Sequence, residues 1–173
     1  MQRRAFWKAV TLDRADFLDQ LLALLREQDT RFCAVGGQAV NAYVDPVVSL
    51  DLDLVVAVSD LARLEPVLAE RFRVGRFPHS INVSLAGSDL RVQIQTDPRY
   101  GEFLAHAKPR EILGIQLPVA RLEDVLRGKV WAASDPERRA SKRQKDLADI
   151  ARLLEAYPHL RPLVPDEIRQ RLL

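Results

Sequence analysis

The sequence is poor in cysteine, with Cys33 as its only one among 173 residues. An intramolecular disulfide is therefore excluded, and the apolar neighbours of Cys33 predict a buried structural thiol rather than a nucleophile. Long apolar runs are also missing. No stretch reaches the roughly 18 residues that a membrane helix needs, and the first residues lack the apolar segment of a signal peptide. These absences predict a cytoplasmic protein without a membrane span.

An excess of one charge sign is missing as well. Lysine and arginine number 26 against 24 acidic residues, so the net charge is only +2. This balance permits contact with nucleic acid but does not argue for it. The P-loop, the dinucleotide fingerprint and the Gly-x-Ser-x-Gly motif are absent, so the sequence carries no direct evidence for the classes that use them.

Hydrophobic periodicity predicts a fold that mixes helices and strands. Helices are predicted over 13–28, 38–44, 59–72, 98–107, 122–135, 137–157 and 164–173. Strands are predicted over 31–35, 50–58, 72–77, 80–87 and 89–95, with short extended pieces over 111–120. Ser59 or Asp60 is the expected N-cap of the third helix, and the closely spaced strands after it are expected to pair antiparallel. We therefore expect an α+β fold, with a mixed sheet flanked by helices over 1–120 and a helical C-terminal part over 121–173.

Two aspartates, Asp51 and Asp53, stand at the start of the apolar strand over 50–58. Residues i and i+2 of a strand point to the same face, about 6–7 Å apart. Two convergent carboxylates repel one another, and a divalent cation removes that repulsion. Mg²⁺ prefers carboxylate oxygens and completes its shell with water and substrate phosphates. The spacing therefore predicts a magnesium site.

A glycine turn, Gly36 and Gly37, lies between the first predicted strand and the short helix that follows it. Without a Cβ, these residues let the backbone approach a ligand closely, and their N–H groups are available to phosphates. An Asp-x-Asp or a Gly-Gly turn alone is weak evidence for function. Their order along the chain, strand, glycine turn, helix and Asp-x-Asp strand, is the informative feature.

The segments VGGQAVNAYV and SLDLDLVV resemble the signature of the nucleotidyltransferase superfamily related to DNA polymerase β. Within it they are similar to the AbiEii-like toxins, including the MenT-type toxins. The matching positions are Gly36, Gly37, Ala39, Asn41, Tyr43, Asp51 and Asp53, with Ser49 where threonine is usual. The resemblance continues with a helix lysine and a basic stretch that closes with two aspartates, here Lys129, Lys145, Asp146 and Asp149.

This resemblance implies a nucleotidyltransferase-like fold and a Mg²⁺-dependent enzyme that moves a nucleoside monophosphate from a nucleoside triphosphate to an acceptor hydroxyl. It further implies a tRNA 3′ end as the acceptor and an antitoxin protein that restrains the enzyme. The implied metal ligands are Asp51 and Asp53, which share catalysis with Lys129 and Asp146. The implied nucleotide-binding residues are Gly36, Gly37, Ser49 and Lys129.

The helical pattern agrees with a special position for Lys129, because it lies on the apolar stripe of its predicted helix. A lysine there either faces a negative ligand such as a phosphate or extends its ammonium to solvent. Asp146 stands near the edge of the buried face of the next helix. It either orients Lys129 or a nucleotide base, or serves as helix N-terminal charge compensation or in a surface ion pair.

The sequence departs from the superfamily pattern where a third carboxylate is usual. The corresponding strand offers Gln93 and Gln95 on one face, and glutamine ligates a metal weakly but accepts no proton. The neighbouring carboxylates, Asp89 and Asp97, resemble turn residues. A noncatalytic nucleotide- or partner-binding module is therefore an alternative, and a small-molecule (antibiotic) nucleotidyltransferase is another.

Two further features concern positive charge. The related toxins often carry an arginine where this chain has Val47, which makes Arg91 a candidate for the same role. The basic run over 137–145 is interpreted either as a solvated helix face or as a surface that grips RNA phosphates.

Overall fold

A mixed sheet runs through the protein in the computed structural model, which describes residues 2–172. Its strands are β1 (Phe32–Val35), β2 (Asp51–Val56), β3 (Arg73–Phe77), β4 (Ser80–Ser84), β5 (Arg91–Gln95), β6 (Lys108–Ile112) and β7 (Ile115–Val119). Their order across the seven-stranded sheet is β3-β4-β5-β2-β1-β7-β6. The predicted antiparallel pairing of β3, β4 and β5 is confirmed, whereas β2 pairs with β5, and β1 with β7, in parallel.

Helices flank this sheet, so the predicted mixed sheet flanked by helices is confirmed. They are α1 (Gln2–Val10), α2 (Phe17–Glu27), α3 (Gly36–Val40), α4 (Val58–Arg71), α5 (Leu122–Ser134), α6 (Ala140–Ala156) and α7 (Asp166–Arg169). The segments Pro98–His106 and Pro158–Leu163 are 3₁₀ helices. Helix α1 falls outside the sequence predictions. No helix within residues 2–172 is long and apolar enough to cross a membrane.

The starts of two helices differ from the predictions for local reasons. Helix α2 begins at Phe17 rather than at residue 13, because Asp16 has a left-handed φ of 53°. The carboxylate of Asp13 then accepts the backbone N–H groups of Phe17 and Leu18, which satisfies two donors of the first turn. The predicted N-cap of α4 is wrong: Ala57 occupies the cap position, and no side chain caps this helix.

One continuous apolar core joins the sheet to the C-terminal helices. Leu52 and Leu54 of β2 are fully buried, and Val125 of α5 and Ile150 of α6 belong to the same buried cluster. Helices α5 and α6 pack against each other and against α3. This packing holds the C-terminal helices over the end of β2 where the two aspartates lie. The division of the chain at residue 120 stays a prediction.

Candidate active site

The strand β2 presents Asp51 and Asp53 on one face, as the spacing predicts. The intervening Leu52 and the following Leu54 are fully buried on the other face, whereas both aspartates are partly exposed. The two aspartates line the same two cavities, described below. The pleat therefore separates the core face of β2 from its polar face.

The glycine turn lies against this polar face. Val35, the last residue of β1, pairs with Asp53, so the chain turns directly beside the aspartate. Gly36 has a φ of +69°, and a Cβ at this position would lie 2.2 Å from Oδ2 of Asp53. Only glycine accepts both this backbone conformation and this close approach. Gly37 is less restricted, because a Cβ there would meet Oδ2 of Asp149 at 3.5 Å.

Asp53 is the carboxylate of the site that lacks a direct partner. Within residues 2–172 its side chain forms no hydrogen bond or ion pair. Burial raises its pKa from 3.8 to about 6, although the positive charge of Lys129 opposes the shift; the nearby charge of Asp51 adds to it. A half-buried carboxylate beside a second carboxylate favours the arrival of a cation.

Asp51, in contrast, is held by two cations. Nε of Arg91 lies 2.8 Å from Oδ1 of Asp51, and Nζ of Lys142 lies 3.1 Å from Oδ2. Arg91 reaches it because the two residues are register partners in the parallel pair of β2 and β5. Arg91 thus contacts an aspartate of the site, and a role in place of the arginine missing at Val47 stays a prediction.

Lys129 is buried, with 7% of its surface exposed, and does not extend its ammonium to solvent. Its Nζ lies 3.0 Å from Oδ1 of Asp146 and 2.8 Å from Oδ2 of Asp149. These contacts and their charges raise the pKa of Lys129 despite the opposing effect of burial, so it stays charged. An ammonium has three donors. Two of them meet these carboxylates, and Lys129 also lines both cavities.

Asp146 is even more deeply buried, with 1% exposed. Besides Lys129 it accepts hydrogen bonds from Nε and Nη2 of Arg138, at 2.9 and 3.2 Å. It lies well beyond the first turn of α6, which begins at Ala140. The alternatives of a surface ion pair and of helix N-terminal compensation are therefore wrong. In this structure Asp146 orients Lys129 and Arg138.

Some of the basic side chains in the run over 137–145 contact the aspartates of the site. Arg138 bonds Asp146, Lys142 bonds Asp51, and Arg143 donates to the backbone carbonyls of Asp135, Pro136 and Arg138. Arg139 and Lys145 of the run are exposed, as on a solvated face, whereas Arg138 and Lys142 contact the site. A grip on RNA phosphates stays a prediction. Sequence reasoning missed Lys142 and Arg138 as site residues. The i, i+4 spacing of Lys142 and Asp146 marks a shared face of α6, whereas Arg138 precedes that helix and carries no such signal.

Ser49 supports the entry of β2. Its hydroxyl accepts the backbone N–H of Asp51 at 3.1 Å, and its carbonyl accepts Nε2 of Gln38 at 3.0 Å. Asn41 holds the same loop, because it donates to the carbonyl of Val47 and accepts the N–H of Val47. The loop between α3 and β2 is thereby built from side-chain to backbone bonds. Ser49 also lines the larger cavity, and its predicted role toward a nucleotide stays a prediction.

Gln93 is the register partner of Asp53 on β5, the strand on which a third carboxylate is expected. Gln95 follows it on the same strand, and both line the smaller cavity. Asp97 lines that cavity too, but it accepts the backbone N–H of Arg99 and pairs with its guanidinium, which lowers the pKa of Asp97. Asp89 is not among the residues that line either cavity.

Two cavities meet at the aspartate pair. The smaller, of about 450 Å³, carries amide and aromatic groups, among them Gln93, Tyr100 and Trp131. The larger, of about 610 Å³, carries the basic side chains of Arg91, Lys142, Lys145 and Arg152. The walls common to both are formed by Asp51, Asp53, Lys129, Arg138, Lys142 and Asp146. The aspartates therefore stand where two bound molecules can meet.

These residues fit a divalent cation that the substrate helps to hold. Within residues 2–172 no three histidine, cysteine, aspartate or glutamate side chains form a metal-binding group, so a closed protein cage is absent there. Two carboxylates beside open space suit Mg²⁺, which keeps several waters and takes substrate phosphates. The unpartnered Asp53 supports this fit.

No curated protein matches this chain. The fold is similar to that of ANT(2")-Ia in complex with adenylyl-2"-tobramycin, with a TM-score of 0.61 and 16% identity over 91% of this chain and 98% of that chain. The fold is also similar to the solution structure of the antibiotic-resistance factor ANT(2'')-Ia. The TM-score is 0.58, with 16% identity over 89% of this chain and 90% of that chain. For the lincosamide antibiotic adenylyltransferase LnuA, lincomycin-bound, the TM-score is 0.52, with 11% identity over 79% of this chain and 95% of that chain.

A family model matches nearly the whole chain, over residues 16–173. Its description is "Nucleotidyl transferase AbiEii toxin, Type IV TA system". The match includes the glycine turn, the aspartate pair and the helices α5, α6 and α7. The chain is therefore a nucleotidyltransferase, and it belongs to the AbiEii nucleotidyl transferase toxin family.

Proposed function

We propose that this enzyme moves a nucleoside monophosphate from a Mg²⁺-bound nucleoside triphosphate to an acceptor hydroxyl, and that Asp51 and Asp53 mark the place of this reaction. The carrying observation is Asp53, a half-buried carboxylate without a direct partner among residues 2–172, at the junction of two cavities. Asp51 and Asp53 would hold Mg²⁺, whose chemistry when bound would be to offset the negative charge that develops as pyrophosphate leaves.

The residues around the pair would hold the triphosphate. Gly36 and Gly37 would offer backbone N–H groups at close approach. Lys129 would offer the donor that Asp146 and Asp149 leave open, with the two carboxylates fixing the direction of its ammonium. In this proposal Asp146 is a positioning residue, because it acts through Lys129.

The chain offers no carboxylate at the position of Gln93 to take the proton of the attacking hydroxyl. An amide accepts a hydrogen bond but does not accept a proton at neutral pH. Gln93 would therefore orient the acceptor hydroxyl, whose proton would pass to water in the cavity as its oxygen bonds the α-phosphate and pyrophosphate leaves.

We further propose an RNA acceptor, specifically a tRNA 3′ end, and the role of a toxin restrained by an antitoxin. Membership of the family supports the toxin role. The basic side chains of the larger cavity, with Arg91, Lys145 and Arg152 around its wall, favour a polyanionic acceptor over a neutral one.

Transfer can be tested with each of the four α-³²P-labelled nucleoside triphosphates, Mg²⁺ and total tRNA. We expect the wild type to label tRNA with at least one nucleotide, and chelation with EDTA or the near-isosteric Asp53→Asn variant to abolish the label. The Gly101→Ala variant is the matched control, because a Cβ there meets no heavy atom within 4 Å. Label confined to an added aminoglycoside would instead assign a small-molecule acceptor. No label in RNA, protein or small molecule would overturn the proposed function.

The toxin role needs a separate assay. Expression of the wild type is expected to arrest growth, and Asp53→Asn to relieve that arrest. Growth unaffected by the wild type, in a host whose tRNA it labels in vitro, would refute the toxin role without refuting the transfer reaction.

A further inference from the structure

Asp51 and Asp53 differ in their surroundings although they are proposed to share one cation. Both oxygens of Asp51 already contact positive groups, Oδ1 at Arg91 and Oδ2 at Lys142. Asp53 has no such contact within residues 2–172. A cation that binds both aspartates therefore meets a free carboxylate at one of them and two resident cations at the other.

A divalent ion within a few ångströms of an ammonium is repelled strongly. Arg91 is fixed beside Asp51 by strand register, and it lines the larger cavity only. Lys142 reaches Asp51 from α6, 91 positions along the chain, through a single contact of its Nζ. Exposure does not separate the two, because the side chain of Lys142 is 38% exposed and that of Arg91 is 66% exposed. Lysine, however, is a compact charge on a flexible stem, and Lys142 lines both cavities at the wall that they share. Lys142 is therefore the group that can leave.

The position of Lys142 also indicates where its charge would go. It lines both cavities at the wall that they share, together with Lys129 and Arg138. Those two are held by the buried Asp146, whereas Asp51 is the acceptor that holds Lys142. A phosphate that enters beside the aspartates would offer Lys142 a second acceptor within the reach of its side chain.

We infer that Lys142 exchanges acceptors during binding: it pairs with Asp51 in the free enzyme and with a phosphate of the nucleotide once a cation occupies the aspartate pair. The inference rests on the proposed function. Its consequence is that the cation and the nucleotide bind cooperatively. The cation alone must displace Lys142 into solvent, whereas the nucleotide supplies a new partner for it.

The first test measures binding of Mn²⁺ alone to the metal-free protein by electron paramagnetic resonance. Lys142→Met should bind Mn²⁺ about 5-fold more tightly than the wild type, because the competing ion pair is removed. The matched control is Lys145→Met, which removes the same charge from the same helix and cavity but breaks no ion pair with Asp51. Its Mn²⁺ affinity should stay within about 2-fold of that of the wild type.

The second test adds α,β-methylene analogues of the four nucleoside triphosphates, which cannot donate the nucleotidyl group. With Mn²⁺ saturating, Lys142→Met should bind the best analogue at least about 10-fold more weakly than the wild type, because a charge-assisted phosphate contact is lost. Opposite changes in the two affinities identify an exchange of acceptors. A merely structural role of Lys142 would not tighten Mn²⁺ binding.

The results separate the two proposals. If the wild type binds Mn²⁺ and Asp53→Asn does not, the metal site stands. Should Lys142→Met then match the wild type in either assay, the exchange is refuted while the proposed function survives. If the wild type binds no Mn²⁺ with or without nucleotide, both are overturned.

Discussion

Gly36 allows the sharpest test of how the glycine turn serves the aspartate pair. In Gly36→Ala the new Cβ would lie 2.2 Å from Oδ2 of Asp53, whereas real Cβ atoms do not approach closer than 3.0 Å. The carboxylate must therefore move by about 1 Å, a displacement that can cost roughly 10²-fold in rate. The left-handed φ of +69° adds about 1–2 kcal/mol of strain for alanine.

These effects are measured by thermal denaturation and by nucleotide transfer well below the melting temperature. We expect Gly36→Ala to lower Tm by about 2–8 °C, at roughly 2–4 °C per kcal/mol for a chain of this size. The transfer rate should fall about 100-fold in the same variant.

Two other glycines are the controls. Gly101→Ala should keep both its stability and its transfer rate, because its Cβ meets no heavy atom within 4 Å. Gly37→Ala, a control for stability only, should match or exceed the wild-type Tm, because alanine favours the helix and the nearest atom is an ordinary 3.5 Å away. A Gly36→Ala enzyme with wild-type Tm and rate would refute the account of this turn.

Three further predictions concern the buried groups. Because burial raises the pKa of Asp53 from 3.8 to about 6, the wild type loses folding stability as the pH rises from about 4 to about 6, and the full loss persists above pH 6. In urea denaturation without metal, the free energy of unfolding of Asp53→Asn should therefore exceed that of the wild type by about 1–3 kcal/mol at pH 8. This difference should vanish by about pH 4. Asp146→Asn should lose about 3–5 kcal/mol in the same assay at pH 7, because it leaves Lys129 and Arg138 without their shared buried carboxylate; a loss below 1 kcal/mol would contradict that packing. Cys33 is fully buried, and burial raises its pKa to about 12, so the native thiol should not react with Ellman's reagent at pH 8 until urea unfolds the chain.

Much of the fold follows from local patterns. Alternation along β2 placed its leucines in the core and its aspartates on the other face, because the side-chain period of a strand is two. Element ends were less predictable. The starts of α2 and α4 depend on the left-handed Asp16 and on the uncapped Ala57, which hydrophobic spacing does not register. The 3₁₀ form of Pro98–His106 was not predicted either, because an i, i+3 spacing such as that of Tyr100 and Phe103 suits both three and 3.6 residues per turn.

For this protein, the sequence by itself determined the α+β class, the shared face of Asp51 and Asp53, and the glycine turn before them. These depend on neighbours within a few residues, whose geometry the backbone period sets. Only the tertiary structure decided which charges meet: Lys142 with Asp51 across 91 positions, Lys129 with Asp146, and Gly36 against Asp53. Such pairs arise because α5 and α6 pack over α3 beside β2, and spacing along the chain carries no record of that packing.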